Sequence, residues 1–135
     1  MNQLRVKDWD NYQHYKPLNP KYQKKTRVFY NSVPKTEPRY SDYDNIQKLR
    51  SPFPKVERWI TIVGKVCPRK NQIDAIRILE LLHIGGWEKF GLLLAGDIDP
   101  DYGDEIRKLV TSKKLNHHVL LAGNINGIQA LMDCS

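Results

Sequence analysis

The chain has 135 residues, enough for one domain with a sizeable core, and its 22 Lys+Arg against 15 Asp+Glu give a formal charge of +7. That excess lies wholly in front, with 13 basic and 6 acidic residues up to Arg58 and 9 of each from Trp59 onward. Cys67 and Cys134 form no Cys-x-x-Cys or Cys/His cluster of zinc spacing, which argues against a disulfide scaffold or a structural metal site. The opening residues lack the apolar stretch of a signal peptide, and no run approaches the roughly 18 apolar residues of a membrane span. These features point to a cytoplasmic chain, soluble or at most peripheral at a membrane surface.

From Met1 to about Arg58 the sequence is rich in Tyr, Pro, Asn and Lys and shows one strand-like run, Arg27-Val28-Phe29-Tyr30, ended by Asn31-Ser32 and Pro34. Pro34, Pro38, Pro52 and Pro54 make the following stretch read as an extended linker.

From Trp59 a pattern repeats. Trp59 to Val63 is a short β-branched run stopped by Gly64, and Asn71 can cap a helix from Gln72 to about Ile84 with Ile73, Ile76, Leu79 and Leu82 along one side. Gly85-Gly86 ends that helix. Phe90 to Ala95 is a second run, stopped by Gly96; Asp101 to Lys114 is a second helix carrying Tyr102, Ile106, Leu109 and Val110, with acids leading and lysines closing it. His118 to Ala122 is a third run, stopped by Gly123, and Asn126 can cap a third helix carrying Ile128, Leu131 and Met132. Near-continuous apolar strands alternating with amphipathic helices predict an α/β fold with a parallel sheet covered on both faces. Three such units amount to half of a doubly wound domain. In that architecture ligands bind beyond the carboxyl ends of the strands, where each run here ends in glycine.

The loop Gly64-Lys65-Val66-Cys67-Pro68-Arg69-Lys70-Asn71 places a glycine and three cations between the first strand and its helix. Free N–H groups at the helix start, with Lys65 and Lys70 on either side, would suit a diphosphate, although lysines in such loops are most often simply solvated. His117-His118 has no third ligand at a metal spacing, Cys67 has no base partner in sequence, and Trp59 and Trp87 border elements as packing residues would. Asp97-Ile98-Asp99 has the letters of a metal motif but follows the second strand as part of a turn.

The loop resembles the Gly-Arg-Leu-x-x-x-Lys-Gly segment of retaining glycosyltransferases with two Rossmann domains, often called glycosyl transferases group 1. Leu92-Leu93-Leu94-Ala95-Gly96-Asp97 is similar to that family's second strand and Gly-Asp turn, and Asp101 to Ile106 resembles the following helix start. His118 to Asn124 resembles its Val-x-Phe-Leu-Gly strand, Ala130 to Ser135 its next small helix, and Val28 to Val33 its Ile-x-Asn-Gly-Val run before the interdomain linker. The similarity spans roughly residues 26 to 135. Lys65 stands where the family usually has Arg, which keeps the charge and loses the bidentate fork, and Asn71 stands in place of Gly.

The resemblance implies that residues 1–58 are the end of an acceptor-side domain plus linker, and that 59–135 are the first half of a truncated nucleotide-sugar-binding domain. It implies phosphate binding by Gly64, Lys65, Lys70 and Asn71, and nucleotide binding by Gly96, Asn124 and Ile125. The parent enzyme would transfer a sugar, with retention, from a nucleoside-diphosphate sugar to a glycan or lipid-linked acceptor in polysaccharide biosynthesis. It would use no metal or other cofactor. The family's paired glutamates and its acceptor domain have no counterpart here, so no catalytic residue is assigned and the chain alone is expected to be inactive without the rest of the transferase. Two other readings are a basic nucleic-acid-binding module, disfavoured because the ordered half is neutral, and an inactive structural remnant.

Overall fold

The computed structural model describes residues 37–135 and, before them, the backbone of Arg5–Val6 and Arg27–Val28. The chain divides into two units, Met1–Lys35 and Thr36–Ser135. In the first, β1 (Arg5–Val6) pairs in parallel with β2 (Arg27–Val28), so the predicted strand at Arg27 is present. Phe29, Tyr30 and the turn through Pro34 lie outside the described residues.

The second unit runs α1 (Tyr40–Arg50), β3 (Arg58–Val63), α2 (Gln72–Ile84), β4 (Phe90–Ala95), α3 (Pro100–Ser112), β5 (Val119–Gly123) and α4 (Ile128–Asp133). The three strands from β3 onward form one parallel sheet in chain order, with Ile60 opposite Leu92 and Leu92 opposite Val119. The expected α/β architecture is therefore present, with boundaries within two residues of the periodicity for most elements. Strand β4 is central, and Leu92, Leu93, Leu94 and Ala95 have no exposed surface. A strand buried on both faces has no polar side, which is why its sequence is a continuous apolar run.

Alternation along the strands sorts the core into two layers. Leu92 and Leu94 join Ile76 and Leu79 of α2 and Tyr102, Ile106 and Val110 of α3 on one face. Trp59, Leu93 and Ala95 join Ile46 of α1 and Ala130 and Leu131 of α4 on the other. The stretch that reads as a connector is thus not extended throughout. Residues 40–50 are a helix that covers the second face, with the Tyr43 hydroxyl donating to Asp133 (3.0 Å) and the Arg50 guanidinium donating to the Cys134 carbonyl (2.8 Å). Pro38 and Pro52 bracket this helix rather than dissolve it.

Two capping expectations change. Asn126 does not cap α4; the residue before the helix is Gly127 in the left-handed region (φ 77°), where a Cβ would lie 2.7 Å from that of Asp42 on α1. Helix α3 begins one residue earlier than its periodicity, because Asp99 accepts from the Tyr102 amide (3.1 Å) and Pro100 takes the first helical position. Trp59 packs as expected, edge-on to Phe53 and beneath Arg50. Trp87 packs edge-on to Phe90, with ring centroids 6.0 Å apart, and still leaves 60% of its surface exposed.

Candidate functional site

The carboxyl ends of the three strands bring their glycines into register. The Gly64 amide donates to the Ala95 carbonyl (2.8 Å) and the Gly96 amide to the Gly123 carbonyl (2.7 Å). All three have positive φ, at 143°, 144° and 65°. The approach is closest at Gly96, where an added Cβ would lie 2.2 Å from the Gly64 carbonyl oxygen. Only glycine fits a backbone contact of this kind. Beyond it the two loops stay paired: the Val66 amide donates to Asp97 (2.8 Å) and the Asp99 amide donates back to Val66 (2.9 Å). On the other side the β4–β5 register slips by one residue, so that Ala95 faces Gly123 rather than Ala122. A bulge thus ends the pairing beside the glycine row.

The cationic loop leaves β3 at this edge. Lys65 lies 3.6 Å from Asp97, with both side chains mostly exposed (56% and 68%). Such a pair is worth at most about 1 kcal/mol and yields readily to a competing anion. The chain then forms a single 3₁₀ turn, Pro68–Lys70, on which Arg69 and Lys70 are exposed. Asn71 follows in the left-handed region (φ 48°, ψ 46°), a conformation open to Gly and Asn. Cys67 is a free, half-buried thiol in this loop.

Several amides at and just before the helix start are already engaged, so fewer are free than the sequence leads one to expect. Lys70 N–H donates to Cys67 (2.9 Å), Asn71 N–H to Pro68 (3.0 Å) and Asp74 N–H to Asn71 (3.2 Å). The Ile73 amide donates to the Tyr102 hydroxyl at 3.2 Å. Asn71 sits before the helix without capping it; its side-chain amide donates to Asp74 instead (2.6 Å). The loop therefore presents its charge through side chains, while its own hydrogen bonds hold the backbone shape.

Gln72 went unnoticed in the sequence. It is 1% exposed, and its Nε2 donates to the Lys65 carbonyl (3.0 Å), tying the two ends of the loop together. Its Oε1 is buried without a protein partner. A glutamine at the first turn of a helix carries no sequence signal for this. Tyr102 was legible as a core residue of α3, but the role of its hydroxyl was not. Asn124 is exposed just after Gly123, whereas Ile125 packs among the residues of the second core layer. Of the two, Asn124 is therefore the accessible residue.

The opposite, amino-terminal end of the sheet holds a surface pocket of about 420 Å³ lined by Lys55, Glu57, His83, Glu88, Lys89 and His118. Here His83 meets His118 edge-on, with ring centroids 4.5 Å apart, and one His83 ring nitrogen contacts the Phe90 carbonyl (2.9 Å). His118 Nδ1 is buried without a partner, and burial, aided by the neighbouring His83, holds its pKa below the ordinary 6.5. Among the described residues no group of three or more His, Cys, Asp or Glu side chains is placed to hold a metal ion, and no helix is long and apolar enough to cross a membrane.

No protein-family model matches the chain, and no curated protein matches it by sequence. Among solved structures it is similar to HepE from Anabaena in complex with UDP, at 22% identity and a TM-score of 0.64. It is also similar to the same protein in complex with UDP and glucose, at 22% identity and a TM-score of 0.63. Both similarities cover 82% of this chain and 30% of HepE, so the chain spans about a third of that protein's length. At this identity the likeness establishes the fold.

Proposed function

We propose that this chain is the nucleotide-binding part of a glycosyltransferase, holding the diphosphate of a nucleoside-diphosphate sugar at the carboxyl edge of its sheet. The observation that carries the reading is the row formed by Gly64, Gly96 and Gly123, with the Lys65–Asn71 loop leaving from its first member. A doubly wound sheet takes its ligands at this edge, and here the backbone is bare and the adjoining loop is cationic. The shared fold with a protein captured with UDP, and with UDP and glucose, supports a uridine nucleotide as the first ligand to try.

Lys65 and Lys70 are the groups assigned to the phosphates, with Gly64 and Asn71 shaping the loop, and Gly96 and Asn124 bordering the nucleoside. Departure of a nucleoside diphosphate builds negative charge on its terminal phosphate, and fixed cations stabilise that charge most in the transition state. Transfer with retention, a glycan or lipid-linked acceptor and a role in polysaccharide biosynthesis follow from the resemblance and belong to the whole transferase.

Calorimetric titration with UDP and UDP-glucose, beside a generic single-stranded oligonucleotide at two salt concentrations, tests the reading. Saturable UDP binding that weakens about tenfold or more in Lys70→Ala is expected, since a charge-assisted hydrogen bond contributes about 1.5–3 kcal/mol. Oligonucleotide binding with a steep salt dependence and no response to UDP would favour the nucleic-acid module instead.

A further inference from the structure

Glutamine on the first turn of a helix ordinarily faces water, yet Gln72 at the start of α2 is 1% exposed, as buried as Val66 and Ile76 of the core. Burial serves it poorly in one respect. Its Oε1 has no protein partner, a cost that an apolar side chain would not carry. What the carboxamide adds is a single directed bond, from Nε2 to the Lys65 carbonyl at 3.0 Å.

That bond falls on a peptide held at both ends. The Lys65 carbonyl and the Val66 amide belong to one plane, and while Gln72 donates to the oxygen, the amide donates to Asp97 (2.8 Å). The plane cannot turn without breaking both bonds. The contacts then continue into a circuit: the Asp99 amide donates to Val66 (2.9 Å), Asp99 accepts from the Tyr102 amide (3.1 Å), and the Tyr102 hydroxyl accepts from the amide of Ile73 (3.2 Å), the residue next to Gln72. The β3–α2 loop, the β4–α3 loop and the starts of α2 and α3 are thereby joined in one ring, which Gln72 closes.

We infer that Gln72 is a positioning residue of the nucleotide site, fixing the Lys65–Val66 peptide and with it the direction in which Lys65 leaves the loop; this rests on the reading of Lys65 as a phosphate ligand. The Lys65 side chain is 56% exposed and its pairing with Asp97 at 3.6 Å is loose, so its own contacts do not set its place. The backbone does. A loop held in one shape before the nucleotide arrives spares the ordering that binding would otherwise require, so the Gln72 bond strengthens binding without touching the ligand.

Hydrogen exchange and calorimetric UDP titration of the full chain carrying Gln72→Met test this, with Gln72→Leu as a second apolar shape. The Val66 and Asp99 amides should exchange about tenfold faster in both variants, while that of Leu92, bonded to His118 in the sheet (2.7 Å), keeps its rate. UDP should bind about five- to tenfold more weakly, the worth of one neutral hydrogen bond. Loop exchange that is unchanged, or that rises equally at Leu92, makes Gln72 an ordinary core residue and overturns the proposal. So does an affinity equal to that of the unaltered chain. An unaltered chain that binds no UDP refutes the nucleotide reading itself and removes the proposal with it, whatever the exchange rates show.

Discussion

Replacing Gly96 by Ala asks whether the glycine row is a closed backbone contact. At φ 144° a side chain pays for an unfavourable conformation, about 1–3 kcal/mol. The new Cβ would also stand 2.2 Å from the Gly64 oxygen and 2.6 Å from its carbonyl carbon. Both belong to backbone held by the β3–β4 ladder, so relief requires prising two paired strands apart at their ends, which brings the expected loss to about 3–5 kcal/mol. Gly64→Ala and Gly123→Ala are the controls, because a Cβ at either meets nothing within 4 Å and only the positive φ is penalised. They should lose about 1–3 kcal/mol each. Urea unfolding followed by circular dichroism gives the three midpoints, with differences read at constant m. If Gly96→Ala were as mild as Gly123→Ala, the close approach of the β3 and β4 loops would be wrong.

Three further perturbations have definite outcomes. Leu93→Ala empties a fully buried position of the central strand and should cost about 2–5 kcal/mol in the same urea experiment. Asp99→Ala removes the acceptor for the Tyr102 amide at the start of α3 and should cost about 1 kcal/mol, while Asp99→Asn should restore most of it. Acid should loosen the His83–His118 contact. His118 is held below 6.5 mainly by burial, then by His83, His117 and Lys55, against Glu88, so the unfolded chain binds its proton more readily than the folded one. Its contribution is therefore complete above about pH 6.5 and is lost as pH falls from there, and urea midpoints measured between pH 8 and 5 should fall less steeply in His118→Gln.

The sheet was legible because burial on both faces of a strand leaves a one-dimensional mark. Phe90–Ala95 can be read as β4 without any neighbour in view, and the periods of Ile76 and Leu79, and of Ile106 and Val110, fix the sides of α2 and α3. Helix α1 was not legible: Ile46 is its one fully buried residue, and its cover over the sheet depends on Asp133, Cys134 and Gly127, more than 80 residues away. The candidate site divides the same way. Glycines at strand ends and lysines in the loop are marks of sequence, but the engagement of the α2 amides of Ile73 and Asp74 by Tyr102 and Asn71 depends on three-dimensional packing.

The location of the ligand can be read directly from amide chemical shifts as UDP-glucose is titrated into the isotopically labelled chain. Binding at the carboxyl edge predicts the largest changes at Gly64, Lys65, Gly96, Gly123 and Asn124, with the amides around His83, Lys89 and His118 at the other end of the sheet little affected. Shifts concentrated in that opposite pocket, or none at millimolar nucleotide, would contradict the assignment of this edge as the nucleotide site.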